Sequence, residues 1–119
     1  MQNLEIVDAH HHLWNLDCNY YPWLLDKKEK DFFLGDYSAL KKNYLPEDYR
    51  TDSKNFDVVA TVHVEAEWDR SNQVGETIWL TKMNATYKMP NAIVGLVWLA
   101  EKNCEEVLIR PNKHALFRG

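Results

Sequence analysis

Asp57-Val58-Val59-Ala60-Thr61-Val62-His63-Val64-Glu65-Ala66 is the stretch on which the fold turns. It is rich in β-branched residues and bounded by polar segments, which predicts a strand over 57–66. On simple alternation Val58, Val62, Val64 and Ala66 pack on helices, whereas Thr61, His63 and Glu65 take the opposite phase near the strand's end. Downstream, Val74, Ile78, Leu80, Met83 and Tyr87 recur at close to helical spacing and Pro90 stops them, predicting a helix over 72–88. Residues 92–99 form a nearly unbroken apolar run, as in a parallel strand buried on both faces. Asn103 followed by Glu106 resembles a capping box, so a helix is expected over 104–109, ended by Pro111. Residues 114–119 read as the opening of a fourth strand.

Upstream, Pro46-Glu47-Asp48 suits a helix start and predicts a helix over 46–53. Residues 15–45 are a long aromatic and charged excursion without a clean period, in the manner of a functional loop. Residues 5–12 are the first strand. Strands alternating with helices imply a parallel sheet with crossover connections.

The 119 residues suffice for one domain with a core, with 45% apolar and 27% charged residues and a formal charge of −4. Disordered, fibrous and disulfide-scaffold classes are excluded. Basic residues are not clustered beyond Lys27-Lys28 and Lys41-Lys42, which argues against nucleic acid or an anionic membrane as partner. Cys18 and Cys104 fit no metal or redox spacing and read as reduced thiols of a cytoplasmic protein. The first residues carry no basic and apolar leader, and no window reaches the ~18 apolar residues of a membrane span.

Chemistry concentrates at the end of the first strand, Val7-Asp8-Ala9-His10-His11-His12-Leu13-Trp14. Regular alternation puts Asp8, His10 and His12 on one face and His11 on the other. Two imidazoles two residues apart can converge on one cation, and a neighbouring carboxylate can ligate or orient. His10 and His12 are therefore candidate catalytic groups, and His10, His12 and Asp8 candidate ligands of a divalent metal, zinc by donor type. His11 reads as structural. His63 and Glu65 are candidate substrate contacts, with a satisfied polar pair at the sheet end as the equal alternative. Trp14, with Tyr21, Pro22 and Trp23, either roofs a pocket or packs the long loop.

These motifs, together with Tyr21-Pro22-Trp23-Leu24, Leu34-Gly35-Asp36, Tyr44-Leu45-Pro46-Glu47-Asp48-Tyr49, Val62-His63-Val64-Glu65-Ala66 and Leu116-Phe117-Arg118-Gly119, resemble the amidohydrolase-related family of metal-dependent barrel hydrolases. The family includes lactonases and some decarboxylases. The resemblance implies that His10 and His12 ligate a metal or polarise substrate, and that Arg118 holds a substrate carboxylate. Some members work without a metal. It further implies an α/β fold, the N-terminal portion of a TIM (β/α)8 barrel. Residues 1–119 would supply about three to four βα units of the eight, stopping as strand four opens. A later histidine and an aspartate acting as general base fall outside the sequence, so the chain alone is expected to show little turnover. The expected activity is hydrolysis of a lactone or similar small carbonyl compound. A decarboxylase, and an inactive half-barrel acting by self-association or complementation through its open edge, are the alternatives.

Overall fold

Three parallel strands in the order β1-β2-β3 form the sheet: β1 Glu5–His11, β2 Asp57–Val64 and β3 Ala92–Val94. The computed structural model describes residues 4–26, 33 and 35–119; Lys27, Lys28 and Leu34, named above, lie outside the described residues. Among the described residues four α-helices accompany the sheet: α1 Pro22–Leu25, α2 Pro46–Asp52, α3 Gly75–Tyr87 and α4 Cys104–Ile109. The expected helices at 46, 72 and 104 thus form, within a few residues of their predicted limits. At α2 the Asp48 carboxylate accepts the Leu45 N–H at 2.8 Å, and Pro46 loses nothing at the first position. At α4, Asn103 makes no side-chain cap bond. The helix α3 ends where Lys88 turns left-handed at φ 61° and its N–H reaches the Asn84 carbonyl at 2.8 Å.

A barrel portion is not what the described residues build. The sheet is too small and too poor in strands: β3 spans 3 residues, where the apolar run predicted eight. After Val94 the chain leaves the ladder at Gly95. Residues 114–119, expected to open strand four, contribute a single parallel bridge between Phe117 and Ile93. The result is a small α/β domain with a three-stranded parallel sheet.

Two apolar clusters hold it together. Leu13, Tyr49, Leu80, Met89, Ile93 and Phe117 pack between the sheet, α2 and α3. Trp14, Tyr21, Leu24, Ala66 and Trp68 form the second, under the excursion that follows β1. The base of that excursion is closed by Trp14 and Tyr44, which exchange two backbone hydrogen bonds of 3.0 Å. Within it lie α1 and a 3-10 turn, Ser38–Leu40, which the sequence pattern does not reveal.

Register decides which side chains meet. Partners across a parallel pair share a face. Ile6 pairs with Val58, Val7 with Ala60, Asp8 with Thr61 and His11 with His63, so each strand carries one irregularity, β2 at Val59 and β1 at 9–10. The buried side is therefore populated by Asp8, His11, Val58, Thr61 and His63. Val7 and His10 point to the other side, where Val7 is 60% exposed.

Candidate functional site

His10 and His12 stand at and just beyond the C-terminal end of β1, their rings 5.0 Å apart and edge to face. The His12 Nδ1–H donates to the Val64 carbonyl at 2.8 Å. That bond assigns the tautomer, because a carbonyl only accepts. The Nε2 lone pair of His12 is left for a cation or a proton. His12 also lies stacked 6.5 Å from Trp14, which is itself fixed by donating its indole N–H to the Lys42 carbonyl at 2.6 Å.

Asp8 is not on the side of His10 and His12. The irregularity at 9–10 turns its carboxylate toward α2, where Oδ2 accepts the Tyr49 hydroxyl at 2.7 Å and Oδ1 accepts the His10 backbone N–H at 3.1 Å. Burial raises the Asp8 pKa, but these two donors together with the neighbouring His11 and His10 imidazoles outweigh it and leave the group below its ordinary value. Asp8 so positions the His10 main chain. Among the described residues, no three His, Cys, Asp or Glu side chains gather as a metal-holding group.

His63 lies on the buried side, not at an open mouth. Its ring is fully buried, 6.0 Å from His12 and 5.7 Å from His11, and Nε2 donates to the Leu13 carbonyl at 3.3 Å. Val62 and Val64, assigned by alternation to the helix side, are only partly buried, because the irregularity at Val59 inverts the phase of β2. Glu65 is partly exposed and caps the following turn, accepting the Glu67 N–H at 2.8 Å. Arg118 is exposed and gives Nη1 to its own neighbours, the carbonyls of Ala115 at 2.6 Å and Phe117 at 2.9 Å. The structure thus brings together His10, His12, Trp14 and His63, and leaves Asp8 and Arg118 apart.

Two participants escape the sequence reading, Tyr49 and Glu76. Glu76, 2% exposed in the first turn of α3, accepts the Ala66 N–H at 3.1 Å and lies 4.0 Å from His63 Nε2. That separation falls within ion-pair range, yet burial drives both groups neutral: His63 falls to about 3 and Glu76 rises to about 8. The contact is between an imidazole and a carboxylic acid. The signal in the sequence is Glu76 one turn before Leu80, on the stripe that meets the core. His11 is likewise neutral, lowered to about 4 by burial, and its ring sits 4.9 Å from that of Tyr49.

No family model matches the chain, and no solved structure matches it. The uncharacterized protein y4mH of Sinorhizobium fredii (strain NBRC 101917 / NGR234) is 40% identical to it over all 119 residues. The chain spans 40% of the length of that curated relative.

Proposed function

We propose that the chain contributes the histidine wall of a metal-dependent hydrolase site, of amidohydrolase type, for a lactone or similar small carbonyl compound. The observation that carries this reading is the pairing of His10 with a tautomer-fixed His12. The free Nε2 of His12 and the exposed ring of His10 suit two positions of a zinc-type ligand set, with the remaining donors from elsewhere. A zinc ion in such a set makes hydroxide available near neutral pH. The protein's own part is to hold His12 by Val64, to brace His10 through Asp8, and to flank the pair with the Trp14 ring, which excludes water from one side.

The substrate in this reading is a small molecule rather than nucleic acid or lipid. None of the helices among the described residues is long and apolar enough to cross a membrane, and the free thiols of Cys18 and Cys104 support cytoplasmic residence. Self-association fits β1, the outer strand of the sheet among the described residues, with Leu4 and Val7 exposed beside it.

Cobalt(II) titration followed by visible absorption tests the assignment. The chain should bind one ion with imidazole ligation. His10→Ala and His12→Ala should each weaken binding at least ~10-fold, and His114→Ala should not. Equal binding by all three variants would overturn the assignment, as would a chain that binds no cobalt. A lactone added to the cobalt-loaded chain should then shift its visible spectrum, a readout of substrate binding rather than of turnover.

A further inference from the structure

At the opposite end of the strands from His10 and His12, a cleft of about 240 Å³ opens between the last turn of α2, the first half of β2 and the turn after α3. Arg50, Lys54 and Lys88 line it and no carboxylate does. Among the described residues none of the three is paired with an acid; Arg50 donates Nη2 to the Tyr87 carbonyl, and Lys88 Nζ to the Ala85 carbonyl at 3.2 Å.

Part of that positive charge answers the carbonyl ends of α2 and α3, each equivalent to roughly half a negative charge. What remains is a wall whose charged side chains are all cationic, with no carboxylate among the lining residues. The chain as a whole carries −4, so the concentration is local. A concave surface lined by one sign of charge focuses its field on an anion.

The remaining lining says which anion. Phe56, 64% exposed, and Val59, 50% exposed, offer uncovered apolar surface beside the cations. The Thr61 side chain, at 4% exposure, places in the wall a hydroxyl with no hydrogen-bond partner among the described residues, a costly state for a buried polar group. Inorganic phosphate would satisfy the cations but leave the apolar lip bare. The volume is below the ~300–1,000 Å³ of pockets for drug-sized ligands, which limits the guest to a small molecule.

We propose that this cleft binds a small organic acid, its carboxylate held by Lys54, Lys88 and Arg50 and its apolar body laid against Phe56 and Val59. The site is separate from the histidine pair and does not depend on the hydrolase reading.

Amide-resolved NMR titration of the chain with benzoate tests it, with inorganic phosphate and benzyl alcohol as parallel probes. Benzoate should give saturable shifts at the amides of Thr61, Lys88 and Asn91, weakening as salt is added. The double variant Lys54→Gln, Lys88→Asn should weaken binding at least ~10-fold; Asn suits the left-handed backbone at position 88. Should that variant lose its native spectrum, Lys54→Gln alone carries the test, with a loss of about threefold. Three outcomes overturn the proposal: no saturable benzoate response on the order of 10 mM, phosphate or benzyl alcohol binding as well as benzoate, or binding unchanged in the folded variants.

Discussion

The hydroxyl of Tyr49 donates to Oδ2 of Asp8 across 2.7 Å and so ties α2 to the outer strand β1. Tyr49→Phe keeps the ring against His11 and removes only that donor. A hydrogen bond to a charged group contributes about 1.5–3 kcal/mol, and the partial exposure of Asp8 favours the low end. Urea unfolding at pH 7 should show a loss of about 1.5 kcal/mol. The folded-state pKa of Asp8 is lowered, so its contribution is present above the unfolded value of 3.8 and lost as pH falls through the folded one. The difference between Tyr49→Phe and the parent should therefore shrink at pH 3.

Glu76 and the two buried histidines set opposite limbs of the stability profile. Glu76, raised to about 8 by burial, favours the fold fully below its unfolded 4.5, and that support is lost as pH rises through about 8. His11 and His63, lowered by burial to about 4 and about 3, destabilise the fold as pH drops below 6.5, where the unfolded chain takes up protons first. Thermal midpoints should peak near pH 6.5, where proton uptake by the two unfolded histidines balances proton loss from the unfolded Glu76. Glu76→Gln keeps an acceptor for the Ala66 N–H and should flatten only the alkaline limb, a gain on the order of a few kcal/mol at pH 8.5. An unchanged alkaline limb would sink the assignment.

Leu80 is fully buried on α3, and Ile78, on the same helix, is 37% exposed. Leu80→Ala should cost about 2–5 kcal/mol in denaturant unfolding and Ile78→Ala less than about 1.5 kcal/mol. Similar losses at both positions would mean that α3 packs through a different face.

Gly95 sits where the chain leaves β3. A Cβ there would come within 2.8 Å of the Phe117 ring, while the Gly95 N–H is held by the Gly119 carbonyl at 2.7 Å. Gly95→Ala should force Phe117 out of the core and cost about 1–3 kcal/mol. Hydrogen exchange should show the loss at the amides of Ile93 and Arg118, which pair with residues 116 and 93. A variant of parental stability would show that the ring has room to move.

The helices and β2 were legible because their signals are local: Pro46 at a first turn, the stripe ending at Tyr87, the β-branched run after Asp57. What was not legible depends on partners. Residues 95–99 are as apolar as a strand, yet apolarity does not say whether a neighbouring strand exists to pair with them. The face of Asp8 and the phase of Thr61 and His63 hinge on one irregularity in each strand, which no residue announces. The burial of Glu76 follows from which side of α3 meets the sheet, a tertiary fact that a periodic pattern only hints at.

Three consecutive histidines would leave the chemistry of β1 indifferent to a slip of one residue, since each position would still hold an imidazole. The irregularity at 9–10 removes that indifference, because it gives the three rings unlike surroundings: water for His10, a carbonyl leash for His12, and a dry cage of Tyr49 and His63 for His11. Shortening the strand by one residue at Ala9 would leave the composition of the run intact and exchange these environments among its members. Identity along this run is thus a matter of address rather than of side chain.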